Sequence, residues 1–202
     1  VAIEVGAIVR AGIDQMYGTG KLDPDVIYYI TLYNENYVMP ALADDQIEYR
    51  ERGAVEGLYR WQEAPSGPSM PATILFSGIS HTAAREASTE LAERYDVAVE
   101  LWSATNYKRL REDALAAERE NRLHPSAEPR VPLVTQLLSE SAGPITAVSD
   151  FMKIVPEQIA RFAPTGRPFT VLGTDGMGRS DTREALRRHF EIDTGHVVVA
   201  VL

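Results

Sequence analysis

Apolar residues along this chain follow two rhythms that alternate. Val5, Ile8, Val9, Gly12, Ile13 and Met16 share one face of a helix predicted over about Ile3–Tyr17. After Gly18-Thr19-Gly20 and Asp23-Pro24, the run Asp25–Leu32 is crowded with aromatic and β-branched residues, as a buried strand prefers. Residues 41–63 are strongly polar and predict a connecting helix, then a short extended piece at Tyr59-Arg60-Trp61. Pro65-Ser66-Gly67-Pro68 puts four turn-formers in a row and marks a domain boundary.

From Ala72 the alternation is regular. Thr73–Phe76 reads as a short strand, and a helix over about His81–Tyr95 places Ala84, Ala87, Leu91 and Tyr95 on one face. Strand Val97–Trp102 follows, then a charged helix over about Tyr107–Asn121 and another at Leu133–Leu138. Strand Ile145–Val148, a helix through Pro156 to Phe162, strand Phe169–Leu172, a helix over Ser180–Phe190 and strand His196–Leu202 complete the pattern. Strands alternating with helices predict an α/β fold: a three-layer sandwich with a mostly parallel sheet, preceded by the end of an upstream α/β domain.

Composition removes several classes of function. The net charge of -9 argues against sequence-independent nucleic-acid binding, which needs a basic surface. No run approaches the ~20 apolar residues of a membrane span. With no cysteine, disulfides, zinc-thiolate sites and cysteine nucleophiles are excluded, and a cytoplasmic location fits. The first residue is not methionine, and the apolar run Val197–Leu202 stops without polar punctuation, so both ends read as cuts in a longer chain.

In an open α/β sheet, ligand-facing residues sit just past the carboxyl ends of strands. Three segments qualify. Tyr33-Asn34-Glu35-Asn36-Tyr37 is either a binding rim or a hydrogen-bonded loop joining two domains. In Ser77-Gly78-Ile79-Ser80-His81, Gly78 allows a tight turn and Ser80 can cap the next helix. His81 lands in that helix's first turn, where the helix dipole disfavours imidazolium and leaves a neutral ring able to accept or donate a proton. The bland alternative is a rim histidine with no task. The third segment, Gly173–Asp181, lacks the spacing of a dinucleotide fingerprint or a P-loop, and Asp175 and Asp181 would repel phosphate. It reads better as a structural turn, with Asp181 and Glu184 forming a capping box and Arg179 pairing with a carboxylate. His124, His189 and His196 are poor site candidates, and neither a metal-ligand spacing nor the G-x-S-x-G of a serine hydrolase is present.

Tyr28-Tyr29-Ile30-Thr31, Asn34-Glu35-Asn36-Tyr37 and Met39-Pro40 resemble the segment that closes the middle domain of homodimeric pyruvate dehydrogenases. The resemblance continues in order through Gly57-Leu58-Tyr59, Ser77-Gly78-Ile79 with His81, Arg85-Glu86-Ala87 and Arg119 to Pro125. It runs on through Pro129-Arg130-Val131-Pro132, Asp150-Phe151-Met152-Lys153 and Leu172-Gly173-Thr174-Asp175-Gly176. Its most specific stretch is Gly178 to Glu184, leading into Arg188-His189-Phe190-Glu191. The chain thus resembles the carboxy-terminal portion of the decarboxylating, acetyl-transferring pyruvate dehydrogenase component, a thiamine-diphosphate-dependent family of the transketolase-like superfamily.

That resemblance implies a tail of the pyrimidine-binding middle domain at 1–40, a connecting segment at 41–69 and a truncated transketolase-like carboxy-terminal domain at 70–202. It implies decarboxylation of a 2-oxo acid, pyruvate above all, and transfer of the acetyl unit to a lipoyl group on a dihydrolipoamide acyltransferase partner. Thiamine diphosphate and Mg2+ are the implied cofactors, with their main ligands upstream of these residues, and a homodimer is the implied assembly. His81 matches a family histidine that reaches the active site, and Tyr37 matches a tyrosine close to the substrate. Other 2-oxo acid decarboxylases, a transketolase-like enzyme or a non-catalytic subunit-packing module remain as alternatives.

Overall fold

The computed structural model describes residues 2–19, 25–36, 38–39 and 43–202. A five-stranded sheet forms its centre, in the order β1-β3-β2-β4-β5. Strands β2 (Met70–Phe76), β3 (Val97–Ala104), β4 (Ile145–Val148) and β5 (Phe169–Leu172) are parallel. β1 (Leu58–Gln62) closes one edge antiparallel to β3, with Tyr59 opposite Ser103. The extended piece expected at Tyr59–Trp61 is therefore an edge strand of the main sheet.

Side chains on the parallel strands alternate between two buried faces, as a sheet covered on both sides requires. Ile74, Phe76, Val99, Leu101 and Val148 face one side and pack under α3 (His81–Tyr95) and α8 (Thr194–Val201). Leu75, Trp102, Ile145 and Ala147 face the other, under α4 (Tyr107–Leu123) and α5 (Leu133–Ser139). The sandwich has the three layers that the sequence predicts.

Most predicted elements form within a residue or two of their expected bounds, and α3, β4 and β5 match at both ends. Four details differ. The run Asp25–Leu32 forms no strand and pairs with none among the described residues, and Ile27 and Tyr29 are 91% and 90% exposed. Strand composition alone does not make a strand, because the backbone groups need a partner ladder. The helix expected through Pro156 to Phe162 splits into α6 (Ile154–Glu157) and a 3-10 turn at Ala160–Phe162. The helix expected from Ser180 starts later, as α7 (Arg183–His189), because Thr182 is its cap: its hydroxyl oxygen accepts a bond from the Ala185 N–H at 3.3 Å. The Asp181–Glu184 capping box is not formed; Glu184 pairs with Arg188 instead.

The fourth difference is the largest. The valine-rich run read as strand His196–Leu202 is helix α8. Asp193 caps it, its carboxylate accepting from the His196 N–H at 3.1 Å. Val197 and Val198 are buried in the cluster that contains Ala84, Ala87 and Leu91 of α3. Burying each valine contributes about 1.5–3 kcal/mol, well above the few tenths that β-branching costs a helix.

Two further helices lead into the sheet. α1 (Ala2–Tyr17) packs on α2 (Asp44–Glu56), and part of its predicted apolar stripe, Val9 and Ile13, is exposed. α2 ends at Gly57, whose φ of 107° suits glycine, and turns straight into β1. Gly53 in that helix is required by contact, since a Cβ there would lie 2.3 Å from the Tyr59 Cβ.

Asp193→Ala should loosen α8 by about 1 kcal/mol, read as roughly fivefold faster amide exchange at residues 196–199. Burial alone would raise the Asp193 carboxyl, but the ring and backbone N–H of His196, with Arg188 nearby, hold it below the ordinary aspartate value. A depressed folded value means that this contribution is present above about pH 4 and fades as pH falls through the folded value. The variant and the parent should converge in strong acid.

Candidate functional site

β2 is followed by β3 on one side of it and, after α4 and α5, by β4 on the other. Crossovers that leave on opposite faces open a crevice at the carboxyl ends of the two central strands, and ligands of open α/β folds bind there. At this switch point the residue after β2 donates to the residue after β4: Ser77 Oγ to Ser149 Oγ, 2.9 Å, both buried. Ser149 Oγ in turn accepts the Phe151 N–H at 3.0 Å.

His81 stands one turn beyond β2. A 3-10 turn at Gly78–Ser80 runs directly into α3, so Ser80 is helical and makes no side-chain cap, contrary to the sequence expectation. The Ser80 hydroxyl is buried with no hydrogen-bond partner among the described residues. His81 itself is 3% exposed, its ring tilted against Phe76 with centroids 6.4 Å apart. Burial is the main force lowering its pKa below that of a free histidine, and Arg85 adds to it. The Gly78 carbonyl and the Glu4 carboxylate act in the opposite sense. The shift runs in the direction anticipated from the helix dipole, but desolvation is its leading cause.

The three rim segments singled out in the sequence meet around this turn. Tyr33 donates its hydroxyl proton to Asp150 Oδ1 at 2.8 Å, just past β4. Its ring lies over Gly78, where an added Cβ would come 2.5 Å from the Tyr33 oxygen. Gly78 has φ 55°, so glycine is favoured there for backbone and for space alike. Asn34 accepts from Arg183 at 3.0 Å, and Glu35 accepts from Arg187 at 2.5 Å with Arg183 a further 3.7 Å contact. The third segment joins through Thr174, whose hydroxyl donates to the Asp150 carbonyl at 2.7 Å. Asp175 accepts the Lys153 N–H at 3.0 Å, which ties this loop to the one after β4. No ion pair joins Arg179 to a carboxylate among the described residues. Tyr37, the expected substrate contact, lies outside the described residues.

Sequence reasoning passed over several contributors. Asp150, Arg183 and Arg187 become partners of the Tyr33–Glu35 segment only through the fold, although the i, i+4 spacing of the two arginines places them on one face of α7. Glu4 was also missed. It is an acid buried on α1, accepting from the Tyr59 hydroxyl at 2.8 Å and from Ser103 Oγ at 2.5 Å. Burial and then the adjacent Glu4 charge push the Tyr59 hydroxyl far up, so it stays a proton donor. A lone acid amid Ala2, Ile3, Val5 and Ala7 was the available signal.

A diphosphate group with its magnesium needs clustered oxygen ligands for the metal and N–H groups or cations for the phosphates. Among the described residues no group of three or more His, Asp or Glu is placed to hold a metal ion. The glycine-rich loop at 173–181 brings Asp175 and Asp181, the wrong charge for phosphate. The described residues therefore do not fit thiamine diphosphate by themselves. They supply a buried histidine and a polar rim. No helix among them is long and apolar enough to cross a membrane.

The sequence pattern of the transketolase-like TK C-terminal domain matches residues 57–193. Over its whole length the chain is 41% identical to proteins named pyruvate dehydrogenase E1 component from Mycolicibacterium smegmatis and from Escherichia coli K12, of which it spans 21% and 22%. The protein of that name from Mycobacterium tuberculosis is also 41% identical, with 21% of it spanned. A transketolase structure from Leishmania mexicana superimposes on 75% of this chain and 18% of its own at 17% identity, with a TM-score of 0.47.

The His81 ring should titrate below about pH 6.5, the midpoint of a free imidazole, when followed by NMR. With the folded value depressed, the unfolded chain binds the proton first, so the contribution of His81 to stability is full at neutral pH and is lost on acidification through that window. Gly78→Ala should cost roughly 1–2 kcal/mol from the left-handed backbone alone and more from the Tyr33 contact, seen as a lowered Tm.

Proposed function

Because the chain belongs to the transketolase-like TK C-terminal domain family, we propose that it forms one wall of the active site of a thiamine-diphosphate-dependent pyruvate dehydrogenase of the E1 type. Such an enzyme decarboxylates pyruvate and passes the acetyl unit to a lipoyl group on a dihydrolipoamide acyltransferase. The relatives' shared name and the 41% identity over the whole chain support the assignment. The observation that carries it is the place of His81, a buried, neutral imidazole at the topological switch point of the sheet.

In this reading residues 1–40 end the middle domain, 41–69 connect, and 70–202 make up the carboxy-terminal domain, with β1 of the connector closing the sheet edge. His81 holds or transfers a proton as the acetyl unit meets the lipoyl sulfur, a task suited to a ring that is uncharged near neutral pH. Tyr37 donates a hydrogen bond to a substrate oxygen. Thiamine diphosphate and Mg2+ are held by other segments of a homodimeric cytoplasmic enzyme.

The test uses the full-length protein with thiamine diphosphate, Mg2+ and a lipoylated acceptor, comparing pyruvate, 2-oxobutyrate and 2-oxoglutarate. Acetylation of the acceptor should be fastest with pyruvate and fall by about 10²-fold or more in His81→Ala, the usual size of a lost general acid–base. Full activity in a folded His81→Ala variant would reduce this wall to a packing module; preference for another oxo acid would change the substrate.

A further inference from the structure

We propose that Arg183 and Arg187 of α7 are positioning residues, which clasp the Tyr33–Glu35 segment against the turn of His81 and so hold the rim of the proposed site in place. The inference rests on the active-site reading above and adds to it the groups that assemble the site.

The geometry points to a built contact. Three consecutive residues of the segment are each engaged: Tyr33 by Asp150, Asn34 by Arg183, and Glu35 by Arg187 and Arg183 together. The partners come from two different places, the loop after β4 and the helix that follows the glycine-rich loop after β5. Glu35 and Arg187 are about a quarter and a third exposed, so water screens them less than a pair on an open surface. Gly78 supplies the socket. With no side chain there, the Tyr33 ring sits three residues before His81, and a shift of the segment moves it relative to the imidazole.

The backbone from Asp25 to Asn36 joins no ladder among the described residues, and Ile27, Tyr29 and Leu32 are largely exposed. Side-chain bonds hold the stretch instead: Tyr28 donates to Gln15 of α1 at 2.6 Å, and the bonds to Asp150 and α7 engage residues 33–35. An arginine fork suits that task, because it fixes direction as well as charge.

A double-mutant cycle in the full-length holoenzyme tests this, with Glu35→Gln, Arg187→Ala, both together, and Arg187→Lys. Two readouts are followed: the rate of chymotryptic cleavage of the Tyr33–Asn34 bond, and KM for pyruvate against kcat. Arg187→Ala should speed that cleavage about fivefold and raise KM by a similar factor, with kcat changed less than about twofold. Arg187→Lys, which keeps the charge but loses the fork, should recover part of both, and the double variant should be no worse than the poorer single. Unchanged cleavage in both single variants, or effects that simply add, would overturn the clasp. Faster cleavage with unchanged KM and kcat would overturn the positioning role. Should the enzyme not turn over pyruvate at all, the cleavage measurement still decides the clasp, and only the functional reading above fails.

Discussion

β2 sends its chain to one face of the sheet while the connection into its neighbour β4 arrives from the other, and everything chemical in this structure follows from that split. Two parallel strands whose crossovers diverge leave their carboxyl ends uncovered between them. The polar groups stranded there must find partners, and Ser77 and Ser149 find each other. The same geometry delivers His81 and Asp150 to either side of one crevice, although 68 positions of sequence and a whole face of helices intervene. The sheet is the rigid part. The turns at its rim, anchored by short polar bonds, are what it positions.

Much of this was legible in the pattern of apolar residues, and where it was not, the reasons are physical. Strands β4 and β5 could be bounded to the residue because Pro144 and Pro168 precede them and polar turns follow. The valines of α8 misled because β-branching is a weak preference, and a capped helix facing the apolar side of α3 overrules it. Asp25–Leu32 misled in the opposite sense: its composition is that of a strand, but pairing is a property of neighbours. In the site, His81 was visible because it stands in a local strand–turn–helix motif. Asp150, Arg183 and Arg187 meet their partners across 117 to 152 positions, a distance that no local pattern encodes.

Glu4 shows how the helix outside the sandwich is joined to it. A buried carboxylate is tolerated only when its lone pairs are occupied, and here two hydroxyl donors from adjacent strands, Tyr59 of β1 and Ser103 of β3, meet one of its oxygens. Those two residues face each other in the β1–β3 ladder, so the register of an edge strand decides whether α1 can dock. Next to them runs a chain of rings, Tyr59, Trp61, Phe76 and His81, with successive centroids 5.8 to 6.4 Å apart. The histidine is the inner end of that row.

The absence of a side chain at Gly78 has a bearing on how such a chain can drift over generations. The volume missing at position 78 is the volume taken up by the ring at position 33, so the two behave as a single inherited locus although 45 positions separate them. A larger residue at one can be accepted only together with a smaller one at the other. The order of events matters too: shrinking Tyr33 first leaves a void that can be survived, whereas enlarging Gly78 first meets both a backbone penalty and a collision. The route by which relatives could come to differ at this spot is therefore one-way.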